Sequence, residues 1–139
     1  MMKYSITVFV CFLSLCISCK QHKNYDGKLK SNEFISFLSD KNYNYQKFTK
    51  IIVIPGVGCG GCISDAQAEF NKNYKDAKTL YIFTAIADLK IFKNSLAVDA
   101  LTYKNVILDV DDALPTMGFK SIYPSTIKIK QDVAEINRL

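Results

Sequence analysis

The sequence predicts an α/β fold, a mixed sheet with helices packed against it. Three observations carry that reading. From residue 50 to residue 108, apolar runs of strand length alternate with stretches of helical period. Those runs lack polar alternation, as strands covered on both faces do. After residue 125 strict alternation takes over, the pattern of a hairpin with one wet face. The chain has 139 residues, 49% of them hydrophobic, which suits one domain with one core and excludes wholesale disorder.

In chain order, Ser31-Asn32-Glu33 precedes Phe34, Ile35, Phe37 and Leu38, a short amphipathic helix with a serine or asparagine cap. Ile51-Ile52-Val53-Ile54 is a buried strand, broken by Pro55-Gly56-Val57-Gly58. Ile63, Ala66, Phe70, Tyr74 and Ala77 recur at three- and four-residue steps, one face of a helix. Leu80 to Ile86 is a second buried strand, Leu89, Phe92 and Leu96 mark a second helix, and Val106-Ile107-Leu108 is a third strand. Thr126 to Lys130 alternates, and Val133 to Ile136 returns after a tight connection. No internal repeat or low-complexity block is present.

Composition excludes much chemistry. Eighteen basic residues stand against thirteen acidic ones, net +5, and all but Arg138 are lysines scattered through the chain. That is not the arginine- and lysine-rich stripe of a nucleic-acid binder, so no nucleic-acid partner is expected. The single histidine, His22, leaves most zinc, haem and hydrolase constellations without ligands.

Residues 1–18 have the layout of a secretory signal peptide. Lys3 gives the positive start, and Tyr4 to Ser18 is uncharged but too short to span a membrane as a helix, which takes about 20 residues. The segment ends Cys16-Ile17-Ser18-Cys19, which resembles the lipobox of bacterial lipoproteins, with Cys16 where leucine is usual. That resemblance implies lipidation of Cys19 and anchoring to a bacterial membrane on its exported, periplasmic side. An ordinary signal peptide with incidental cysteines is the plainer alternative. Residues 19–30 are polar and read as a tether, its lysines solvated or drawn to anionic headgroups. The domain proper is expected over 31–139.

Removal of the signal and lipidation of Cys19 would leave Cys59 and Cys62 as the remaining thiols, in a compartment that permits disulfides. Cys59-Gly60-Gly61-Cys62 falls between a buried strand and its helix. A thiolate at a helix N-terminus meets unpaired N–H groups and the positive end of the helix dipole, and its pKa can fall from about 8.5 into the range of roughly 3.5–7.5. Cys59 would be the exposed nucleophile and Cys62 the resolving thiol. The alternative is a structural staple, but closing a four-residue loop contributes only about 2 kcal/mol. A zinc or iron–sulfur site lacks two ligands, so neither metal nor other cofactor is expected. Ser64 and Gln67 have capping-box spacing, which could start the helix after the cysteines and weaken the dipole argument.

IIVIPGVGCGGCISDAQAEF resembles the active-site strand, motif and helix of a thioredoxin-like protein. Gly118 to Thr126 (GFKSIYPST) resembles the loop that carries the family's cis-proline, and NVILDVDDALPTMGF the insertion of the TlpA-like thiol–disulfide oxidoreductases. Together these cover about residues 48 to 139. The resemblance implies that Cys59 attacks, Cys62 resolves, and Pro124 is a cis residue facing them. Tyr123 would offer its backbone to an extended substrate peptide, and Gly60 and Gly61 would line the same surface.

The sequence also departs from the family. No tryptophan precedes the motif, Val53 stands where thioredoxins place a buried acid, and Leu139 follows the final strand where the family continues into a C-terminal helix. The expected activity is thiol–disulfide exchange with protein or peptide substrates, fed by a separate electron donor. The alternative is a catalytically degenerate binding module with a structural disulfide. A peroxiredoxin would need Thr-x-x-Cys, and a copper carrier a histidine after the cysteines.

Overall fold

The computed structural model describes residues 29–130 and 133–139. The predicted signal peptide, Cys19 and nearly all of the 19–30 tether lie outside the described residues. The elements are α1 (Ser31–Asp40), β1 (Lys50–Pro55), α2 (Gly60–Asn73), β2 (Thr79–Thr84), α3 (Leu89–Ser95), β3 (Val106–Leu108), α4 (Ala113–Thr116), β4 (Ser125–Lys130) and β5 (Val133–Arg138). Single 3₁₀ turns at Tyr45–Lys47 and Ala100–Thr102 precede β1 and β3.

The five strands form one sheet in the order β3-β2-β1-β4-β5. β1, β2 and β3 are parallel, β4 runs antiparallel to β1, and β5 antiparallel to β4. This mixed sheet with flanking helices is consistent with a thioredoxin-like architecture. Among the described residues, no helix is long and apolar enough to cross a membrane.

β1 shows why its sequence lacks alternation. Ile51 and Val53 pack on one face with Phe34, Phe37 and Leu38 of α1 and with Leu114 of α4. Ile52 and Ile54 pack on the other with Ile63, Ala66 and Phe70 of α2 and Phe92 of α3. Neighbouring side chains on a strand point to opposite faces, so a centre strand with helices on both sides must be apolar at every position. Phe70 anchors the α2 face by edge-on contacts with Tyr81 and Phe83, at 5.0 and 5.1 Å between ring centroids. The β4–β5 hairpin behaves differently: Ile127 and Ala134 are buried on the α1 face, while Lys128, Lys130 and Glu135 are exposed.

Some elements differ from the sequence reading. Leu29, assigned to the tether, is only 4% exposed and belongs to the α1-side core. Neither Ser31 nor Asn32 caps α1; Lys30 holds the N-cap position, and its amine pairs with Glu33. α2 ends at Asn73, which leaves Ala77 exposed rather than on its buried face. β2 stops at Thr84, because Ala85 turns to φ 51°. The short α4 and both 3₁₀ turns are too brief to give a period.

Candidate functional site

β1 delivers the cysteines to the edge where the parallel strands end. Cys59 is the N-cap of α2 in extended geometry, and its carbonyl accepts the first helical bond from Ile63 N at 2.9 Å. The helix therefore starts at Gly60, not at the possible Ser64 cap, so Cys59 and Cys62 fall on the N-cap and first turn, where backbone N–H groups lack intrahelical acceptors. Cys59 and Cys62 form a disulfide with their Cα atoms 5.4 Å apart. Both are half-buried, whereas Gly60 and Gly61 are exposed. A Cβ at either glycine would meet nothing within 4 Å, so both sit on an open rim.

The loop before β4 closes on the motif. Cys59 N donates to Ile122 O at 3.0 Å. Gly58, at φ 141°, permits this approach, since a Cβ there would run into the Ile122 backbone. Ile122 and Val57 are 50% and 51% exposed and add apolar surface to the rim.

Two expectations for this loop need correction. The Tyr123–Pro124 peptide is trans, as is every other peptide bond among the described residues. Trans is the preferred isomer of an X–Pro bond by about 0.5–1 kcal/mol. The Tyr123 backbone is also already paired. Its N–H donates to Ser121 Oγ at 3.1 Å, and its carbonyl accepts from the hydroxyls of Ser121 and Ser125 at 2.7 and 3.0 Å. Serine hydroxyls two residues either side form local turns that satisfy the backbone in this way. Pro124 is buried, with its carbonyl accepting from Leu139 N at 2.9 Å. From this loop it is the Ile122 carbonyl that bonds the motif, through Cys59 N.

No family model, curated protein or solved structure matches the chain. The likeness to thioredoxin-like proteins rests instead on the mixed sheet and on a Cys-x-x-Cys disulfide at the strand-to-helix junction.

Two further residues escaped the sequence reading. Arg138 stacks its guanidinium on the Tyr123 ring, 3.3 Å from the centroid, and its Nη2 lies 4.0 Å from Cys62 Sγ. The hairpin register puts it there: Ser125 pairs with Arg138, and Val53 with Ser125, so β5 returns to the cysteine edge. Pairing Lys130 with Val133 across the predicted tight turn would have placed Arg138 opposite Ser125 from sequence alone.

The other residue is Asp109, fully buried at the end of β3. Its carboxylate accepts from Thr84 Oγ1 at 2.7 Å and from the N–H groups of Ala113 and Leu114 at 2.9 and 3.0 Å. These bonds cap α4 and tie it to β2. In the sequence Asp109 is lost among the acids Asp111 and Asp112, which are exposed.

Proposed function

We propose that the protein is a thiol–disulfide oxidoreductase that works through Cys59 and Cys62 on protein or peptide disulfides, as a relative of the TlpA-like proteins. One observation carries this reading: the disulfide spans the N-cap and first turn of α2 on an accessible edge, where a thiolate formed by reduction would be stabilised and exposed.

The chemistry balances as two exchanges. A dithiol donor first reduces the pair and leaves as a disulfide. The Cys59 thiolate then attacks one sulfur of a substrate disulfide; the Cys59–substrate bond forms, and the other sulfur departs as a thiolate that takes up a proton. Cys62, as a thiolate, attacks Cys59 Sγ, re-forming the internal bond and releasing the second substrate thiol. Two electrons pass to the substrate.

Gly60, Gly61, Val57 and Ile122 form the surface that a substrate would touch. Tyr123 and Pro124 contribute through the position they give Ile122, their own backbone groups being engaged. The lipobox-like end at Cys19 supports export and lipid anchoring to a bacterial membrane. Replacing Cys59 by serine should abolish the acceleration that the protein gives to insulin reduction by dithiothreitol, and an unchanged acceleration would eliminate the proposal.

One observation favours a static disulfide in a binding module: the Tyr123 backbone, which the resemblance assigned to substrate, is fully paired. Against it stands the small benefit of a four-residue loop, about 2 kcal/mol.

A further inference from the structure

Thiol–disulfide exchange through Cys62 needs that thiol ionised. A buried acid could act as the base, but the position that resembles the family's acid holds Val53, which is fully buried among apolar side chains. We infer that Arg138 takes over the task by different means, holding Cys62 as a thiolate once the disulfide is reduced. This rests on the exchange reading above and adds to it a residue at the opposite end of the chain.

The geometry is fixed from three sides. The Arg138 backbone belongs to β5 opposite Ser125, Leu139 N is tied to Pro124 O, and the guanidinium lies over the Tyr123 ring. Stacking on an aromatic face uses the plane of the guanidinium and leaves its edge N–H groups to donate. One of those edges, Nη2, reaches Cys62 Sγ. Among the described residues no carboxylate pairs with Arg138; the ion pairs there are Lys30–Glu33, Lys41–Asp111 and Lys130–Glu135.

The other charged or titratable groups on these elements are Asp65, Glu69 and Lys72 on α2, Glu135 on β5, Lys120 and Tyr123 on the loop before β4, and Cys59 itself. An opposite charge at this range lowers a thiol pKa by about one unit or more. Because Arg138 is exposed, the lower end of that effect applies. In the mixed disulfide, Cys62 would then be ready to attack Cys59 Sγ without a base. The bond to Cys59 forms, the bond from Cys59 to the substrate sulfur breaks, and that sulfur leaves with the electron pair and takes a proton from water.

The test uses the full chain carrying Cys59→Ser, with the iodoacetamide alkylation rate of Cys62 followed against pH on the peptide that contains it. Arg138→Gln should raise the apparent Cys62 pKa by about one unit, and Arg138→Lys should recover part of the shift. An unchanged pKa in a folded Arg138→Gln protein overturns the inference. Should that variant fail to fold, salt supplies the second arm. With Arg138 in place, the Cys62 pKa should rise between about 0.05 and 1 M NaCl as the pair is screened, and a salt-independent value overturns the inference equally. Alkylation needs no turnover. A pKa unmoved, while the parent chain that keeps Cys59 reduces insulin, removes Arg138 alone, whereas a shifted pKa with no insulin reduction by that parent chain removes the exchange reading.

Discussion

The backbone N–H of Cys59 donates to the carbonyl of Ile122 across 3.0 Å, and this bond locks the cysteine motif to the loop before β4. It occupies a group that an N-terminal helix residue would otherwise leave to water. It also sets the rim on which Val57 and Ile122 expose their side chains. The contact depends on Gly58, where an added Cβ would collide with the Ile122 carbonyl.

Gly58→Ala should therefore be costly. A side chain at φ 141° is strained, and its Cβ would push the Ile122 carbonyl away from Cys59. Strain of this kind costs about 1–3 kcal/mol. Urea unfolding should show a loss of that size, accompanied by slower disulfide exchange. Gly60→Ala, with open space at its Cβ, should leave the unfolding free energy within about 0.5 kcal/mol of the parent.

The order of the two exchanges makes a separate prediction. Cys62→Ser removes the resolving thiol and leaves Cys59 able to attack. Such a protein should accumulate as a mixed disulfide with its substrate, seen as an adduct on non-reducing gels or by intact-mass analysis. Adducts that form through Cys62 in the Cys59→Ser protein, rather than through Cys59, would reverse the assigned roles.

Asp109 should matter to stability rather than to exchange. Replacing it by alanine strands the N–H groups of Ala113 and Leu114 and the Thr84 hydroxyl without an acceptor, at a cost of about 2–4 kcal/mol. Asp109→Asn keeps one acceptor oxygen and should cost less. Chemical denaturation of both variants checks the order.

Asp76 carries an acid-linked contribution. Its carboxylate accepts from Lys78 N at 3.0 Å and from Thr79 Oγ1 at 2.8 Å. The backbone bond from Lys78, first, and the Thr79 hydroxyl, second, hold its pKa below the ordinary aspartate value. A folded-state pKa below the unfolded one gives stability that is present above the unfolded value and lost as pH falls through the folded one. The difference in urea midpoint between the parent and Asp76→Asn should be present at about pH 6 and shrink progressively as the pH is lowered below the ordinary aspartate range. A difference that persists in acid would show that the carboxylate charge is not what stabilises this turn.

Much of this architecture was legible in the sequence because it obeys a period or a motif. Ile51 to Ile54 announced a strand covered on both faces, and Cys59 to Cys62 announced the junction with a helix. What escaped depends on tertiary contact. Ala77 fits the helical period of Ile63 to Tyr74, but α2 has already ended. Asp109 differs from Asp111 and Asp112 only in the N–H groups folded around it. The Tyr123–Pro124 loop resembles a cis-proline loop in sequence, yet Ser121 and Ser125 bind the Tyr123 backbone to itself. Arg138 lies 76 residues from Cys62 along the chain, and only the hairpin register brings them together.

The reduction potential of the Cys59–Cys62 pair, measured by equilibration with glutathione or dithiothreitol redox buffers, tests the central claim most directly. An exchange-active pair at a helix N-terminus should fall between about −120 and −270 mV, the span of known exchange catalysts. A value below about −300 mV, where structural disulfides lie, would contradict the account and identify the bond as a staple.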